Sequence, residues 1–188
     1  MKKKIFIPVL VLIFGVLLFA TSFEGNSAEN DEPMYVGVDK CAGTCHKGDS
    51  KGNQYEIWQN SKHSNAFKNL QTPEADKIAQ DRGYSTPAAE TPECVKCHTL
   101  GIDLSTAPLT DTYDKTQGVQ CETCHGPGSE YKKLNIMKDV ELAKQNGLII
   151  HTEREAFCTG CHNSQSPTFK SFDYDEMWAK IKHPKPQE

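Results

Sequence analysis

Four short stretches hold every cysteine of this chain, and they constrain what it can fold around more than any other feature. Cys94-Val95-Lys96-Cys97-His98, Cys121-Glu122-Thr123-Cys124-His125 and Cys158-Thr159-Gly160-Cys161-His162 each read C-x-x-C-H. Cys41-Ala42-Gly43-Thr44-Cys45-His46 is the same pattern with one more residue between the thiols. C-x-x-C-H is the attachment pattern of c-type haem: the two thiols add across the vinyl groups, and the adjacent imidazole reaches the iron. The eight cysteines are all used in this way, so none remains for a disulfide. The rival reading, zinc held by two C-x-x-C pairs, does not require a His after every second Cys. The longer spacing at Cys41 is a rarer variant of haem attachment. The sequence thus predicts four covalent haems, on Cys41/Cys45, Cys94/Cys97, Cys121/Cys124 and Cys158/Cys161, with His46, His98, His125 and His162 as proximal ligands.

The N-terminus reads as an export signal. Lys2, Lys3 and Lys4 precede an apolar run from Ile5 to Ala20, and small and polar residues follow. Residues 1–22 form the expected signal peptide, with cleavage between 22 and 28. An uncleaved anchor is the alternative, but sixteen apolar residues fall short of the roughly 20 that a spanning helix needs. Export places the protein in the periplasm, or outside the cell, where c-type haem is attached. Residues 23–36 read as a polar, flexible lead and 37–188 as one tetrahaem domain.

About 160 residues then remain, roughly 40 per haem, which suits one domain. Mean hydropathy is −0.60 even with the apolar leader included. Side chains this polar cannot build a large core, so the cofactor must be the core. The expected fold is mainly α with long loops, a small multihaem cytochrome c whose chain wraps around four haems. Removing the three leader lysines takes the net charge from −4 to about −7. Such a surface disfavours nucleic acid and anionic membrane as partners; membrane contact arises only if the leader is uncleaved. Redox proteins, as donor and acceptor, are the expected partners.

Helical spacing predicts a helix over 53–70 and another over 73–82, opened by Pro73 and ended by Gly83. Residues 84–93 read as loop and 99–120 as loop or a short hairpin. Gly126-Pro127-Gly128 predicts a tight turn. A helix over 138–146 is closed by Gly147, and a last helix runs from Asp173 to Ile181. The haem sites are unevenly spaced, so the chain is not a solenoid repeat.

Seven histidines are present. Four are proximal ligands, which leaves His63, His151 and His183 as distal candidates. Four bis-His irons would need eight, so one iron lacks a distal His from this chain. A thioether is the other distal donor known for haem. Met137, in Leu134-Asn135-Ile136-Met137-Lys138, is the candidate; Met177 beside Trp178 reads as packing.

The chain resembles the tetrahaem cytochrome c-554 family of periplasmic electron carriers. The matching stretches are Lys40 to His46 with Trp58 to His63, Glu93 to His98, Gly118 to Gly128, and Phe157 to His162 with Phe172 to Met177. The resemblance implies three bis-His haems and a five-coordinate second haem. It implies that His63 serves the iron of His125, and His183 that of His162. The family's distal donor for the first haem falls near Asn135, which is a departure. Met137 or His151 could replace it.

The expected function is electron transfer between redox partners, without catalysis. Two rivals stand beside it. One is a reductase of a small nitrogen compound at an open haem on His98. The other is a subunit of an extracellular cytochrome filament. No nucleophile–base pair or phosphate loop is present. Asp173, Asp175 and Glu176 read as a solvated face.

Overall fold

Local polar groups repeatedly end the helices of this chain before they grow long. The computed structural model describes residues 32–43 and 46–185. Eight α-helices form among them: α1 Gln54–Gln59, α2 Pro73–Asp81, α3 Pro92–His98, α4 Cys121–His125, α5 Leu134–Met137, α6 Val140–Gln145, α7 Arg154–Thr159 and α8 Tyr174–Ile181. The described residues contain no strand beyond an isolated bridge between Tyr35 and Leu109, so the architecture is mainly α. The expected signal peptide and its cleavage region lie outside the described residues. Among the described residues, no helix is long and apolar enough to cross a membrane.

The two helices expected over 73–82 and from Asp173 to Ile181 form close to those limits. Thr72 caps α2 by accepting from Ala75 N–H at 3.2 Å, with Pro73 in the first turn. Asp173 caps α8 by accepting from Glu176 N–H at 2.9 Å, which uses that carboxylate locally.

The helix expected over 53–70 is not continuous. It stops at Gln59, and 3-10 turns follow at His63–Asn65 and Phe67–Gln71. The serines explain the break. Ser61 Oγ donates to Trp58 O at 2.7 Å, and Ser64 Oγ donates to Gln59 O at 2.8 Å and to Ser61 O at 2.9 Å. Hydroxyls that take helix carbonyls compete with the ladder itself. His63 therefore sits on a 3-10 turn, not on a helix. The lead expected over 23–36 is also shorter than its limits. Met34 N–H donates to Ser129 Oγ at 2.9 Å and Tyr35 N–H to Pro108 O at 2.8 Å, while Val36 is buried. Residues 34–36 are thus tied to the rest of the described chain.

The apolar core is small. Phe67, Leu70, Ala79, Ala88 and Val95 cluster where α2, α3 and the 3-10 turns at 67–71 and 88–90 meet. Leu134, Val140, Ile149, Ile150, Phe157, Phe169 and Met177 remain exposed. Few side chains are buried for the length of chain that must be ordered, as expected of a protein that buries a cofactor.

Candidate haem-attachment sites

Three attachment motifs lie on or beside short helices. α3 carries Cys94, Cys97 and His98; α4 carries Cys121, Cys124 and His125; α7 carries Cys158, with Cys161 and His162 just beyond it. On a helix, residues three apart share a face, so the C-x-x-C spacing presents both thiols to the same side. The described cysteines form no disulfide.

Backbone carbonyls orient two proximal rings. His98 Nδ1 lies 2.7 Å from Ala66 O, and His125 Nδ1 lies 3.0 Å from Ile149 O. Each contact makes Nδ1 the protonated nitrogen and leaves Nε2 with a free lone pair, the arrangement iron ligation needs. Burial, then the neighbouring His183, pushes His46 below the usual imidazole range. Burial, then His162, does the same to His63, and burial lowers His162. Burial also lowers His125, against the opposing bond to Ile149. Each shift favours the neutral ring, the form that binds metal.

Two imidazole pairs face each other. His63 and His162 have ring centres 6.0 Å apart, and His125 and His183 have theirs 5.9 Å apart. A metal held between two imidazole nitrogens at about 2 Å each requires centres roughly 6 Å apart. The pairs are exchanged relative to those the resemblance implies: His63 stands opposite His162, and His183 opposite His125. Long-range contacts hold these segments in place. Val119 N–H donates to His63 O at 2.9 Å, and Trp58 Nε1 donates to Val119 O at 2.7 Å. Gly118, at φ 76°, comes so close that a Cβ would collide with the His63 carbonyl. The segment before α4 thus holds the His63 backbone, while Phe172 stacks on His162 at 4.7 Å. At the other pair, Gln54 Nε2 donates to Pro184 O at 2.9 Å, tying the chain beside His183 to α1.

Thiols of different motifs also meet. Cys41 interacts with Cys121, and Cys97 with Cys161. Cys158 is close enough to Cys124 to help raise that thiol, after burial. The attachment sites therefore neighbour one another in the order first, third, fourth, second, which is not their order along the chain.

A buried carboxylate joins the first site to the third. Glu122, inside the third motif, is 1 % exposed. Its Oε1 accepts from Val36 N–H at 2.9 Å and Gly128 N–H at 2.7 Å, and its Oε2 accepts from Gly37 N–H at 2.7 Å. Burial raises this carboxyl above its ordinary value, while the N–H groups of Val36, Gly37 and Gly128 and the Lys132 charge pull it back. Gly128 permits the approach, since a Cβ there would lie 2.9 Å from Oε1. Gln120 adds a second tie: its Oε1 accepts from Val38 N–H at 2.7 Å, and its Nε2 donates to Asp114 O at 2.7 Å. Sequence reasoning missed both residues, because a charged or amide residue within a motif reads as solvent-facing. The one available signal was that both fall in the Gly118–Gly128 stretch that carries the resemblance.

The remaining candidates are placed differently. His151 stacks on Phe157 with ring centres 3.9 Å apart, and its Nε2 is buried without a hydrogen-bond partner. Met137 is half-buried at the end of α5, and Asn135 on the same turn is exposed. Among the described residues, no three His, Cys, Asp or Glu side chains converge on a metal ion, so nothing there favours the zinc reading.

The residues fit haem. Paired thiols are followed by imidazoles with free Nε2 atoms, two further imidazoles stand at iron-spanning separation, and one buried imidazole nitrogen lacks a partner. Such attachment sites on a small, mainly helical scaffold define a c-type cytochrome, with covalently bound haem serving electron transfer. Residues 40–126 match the family described as cytochrome c554 and c-prime. The chain is 30 % identical to cytochrome c-554 of Nitrosomonas europaea, over 91 % of this chain and 82 % of that protein. It belongs to the cytochrome c-554 family. No solved structure matched the chain.

Proposed function

We propose that this protein is a periplasmic electron carrier that binds four covalent haems and exchanges electrons with a donor and an acceptor protein. The observation that carries the reading is the run of thiol neighbours, Cys41 with Cys121, Cys124 with Cys158, and Cys97 with Cys161. It supports a continuous series of sites whose ends are the first and the second. When bound, haem supplies a one-electron couple tuned by its axial ligands and burial. The chain fixes the imidazoles, through Ala66 O and Ile149 O, and holds neighbouring attachment segments together through Glu122 and Gln120. Intact mass of the mature protein tests the stoichiometry: polypeptide plus four haems is expected, and three would remove the site at Cys41. Redox titration then tests the carrier reading, which expects complete, reversible reduction of all four.

A second reading, reduction of a small nitrogen compound at the second site, is favoured by one observation. Among the described residues no imidazole faces His98, although it is aimed by Ala66 O. Steady-state assay with nitric oxide, nitrite and hydroxylamine separates the two, because a carrier turns over none of them.

A further inference from the structure

We propose that Gln54 is a positioning residue for His183: through the Pro184 carbonyl it sets the imidazole that stands opposite His125. This rests on the reading of the third attachment site as a haem site and deepens it. His183 follows the end of α8 at Ile181, in a short stretch whose residues 182–185 are exposed. Proline has no N–H to give, so the backbone of Pro184 can be held only through its carbonyl. That carbonyl is engaged twice. His183 Nδ1 lies 3.2 Å from Pro184 O, and Gln54 Nε2 donates to the same oxygen at 2.9 Å. A carbonyl oxygen has two lone pairs and can accept both bonds. Because it can only accept, Nδ1 carries the proton, and Nε2 keeps the lone pair that iron ligation needs. The same arrangement is met across the pair: His125 Nδ1 lies 3.0 Å from Ile149 O, and the two ring centres are 5.9 Å apart.

Gln54 is placed to hold its end of this relay still. It is the first residue of α1 and is 7 % exposed, whereas the segment it grips lies at the surface. Its Nε2 also donates to Lys51 O at 3.0 Å. Two carbonyls thus fix which end of the amide points toward Pro184. Gly52 makes room for the contact: a Cβ there would lie 2.7 Å from Gln54 Nε2, 2.9 Å from Pro184 Cγ and 3.2 Å from Lys185 O. A buried amide therefore governs an exposed, ligand-bearing segment through one shared oxygen. Pro184 is exposed, so water can take its carbonyl if the amide is removed. What is then lost is the fixed direction of the His183 ring.

The test uses the mature holoprotein, fully reduced and titrated with carbon monoxide, with intact mass as the control for haem attachment. His183→Ala opens the third iron and should take up one equivalent more than wild type. Gln54→Leu should take up that same equivalent, with half-saturation at this iron falling about tenfold, as for one lost hydrogen bond at about 1.4 kcal/mol per decade. Its ferric protein should show a shifted low-spin signal from one haem. Combined with His183→Ala, Gln54→Leu should add no further equivalent, because its effect runs through that ring. Thr91→Val removes hydroxyl bonds to Thr86 O and Pro87 O beside α3. It should melt earlier than wild type yet leave the third iron unchanged. The proposal is overturned if Gln54→Leu binds carbon monoxide as wild type does, if the double variant exceeds His183→Ala, if Thr91→Val opens the same iron, or if His183→Ala adds no equivalent. Should Gln54→Leu fail to mature, Gln54→Asn decides. Its amide is one methylene too short to hold Lys51 O and Pro184 O together, so wild-type carbon monoxide affinity in that variant refutes the assignment. In each of these cases a four-haem mass with reversible reduction leaves the carrier reading standing, whereas a missing haem or an irreducible iron counts against that reading itself.

Discussion

Replacing Glu122 with Gln should loosen the first attachment segment from the third, and its size follows from the hydrogen bonds. The carboxylate satisfies three backbone N–H groups, those of Val36, Gly37 and Gly128. The amide of Gln is isosteric but has one acceptor oxygen. Placed at Oε1, it keeps Val36 and Gly128 and turns its NH2 toward Gly37 N–H. A buried donor left unmet costs about 1–3 kcal/mol, and bonds to a neutral acceptor are weaker than those to a carboxylate. Against this, a neutral amide is cheaper to bury than the carboxylate, which offsets on the order of 1 kcal/mol. The net expectation is about 2–3 kcal/mol of lost stability, a fall of roughly 5–10 °C in Tm for a domain of this size. Glu122→Ala strands all three donors and should cost about 3–5 kcal/mol. Guanidinium unfolding of the holoprotein measures both. Because the lost tie is to Gly37, just before Cys41, the first haem should loosen before global unfolding, seen as earlier loss of low-spin signal from one haem. A Glu122→Gln protein within about 0.5 kcal/mol of wild type would refute the claim that this carboxylate is a structural clamp.

Three further outcomes follow from the same geometry. His63→Ala should free the iron of His162 to bind carbon monoxide; in a background with Cys158 and Cys161 both changed to Ser, the same substitution should add no carbon monoxide equivalent. If it still adds one, His63 serves His125 instead. Gly118→Ala should destabilise by about 2 kcal/mol or more, since φ 76° and contact with the His63 carbonyl leave no room for a Cβ; a variant as stable as wild type in thermal melts would show that the turn can move. Changing all eight cysteines to Ser should leave a chain with little helix by circular dichroism, because the buried apolar cluster is too small to order it; a native-like spectrum would show that the fold does not depend on haem.

What the sequence determined by itself was local. The four attachment motifs are contiguous, so thiol spacing and the adjacent imidazole could be read directly. The start of one helix at Pro73 and the range of another from about Asp173 to Ile181 depend on local residues and were equally legible. The count of seven histidines set how many irons could have two. Which imidazole faces which could not be read, since His63 and His162, or His125 and His183, meet only after long stretches of chain have folded back. The family resemblance transferred a pairing that differs from the rings that face each other in the structure. Nor could the end of the first helix be read: apolar spacing runs on past Gln59, but the Ser61 and Ser64 hydroxyls take the carbonyls that would have extended it. Glu122 is the clearest case of a tertiary decision. A carboxylate belongs in water unless several donors converge on it, and those donors come from Val36 and Gly37, far away in sequence. Only the folded chain brings them together, and with them the first site to the third.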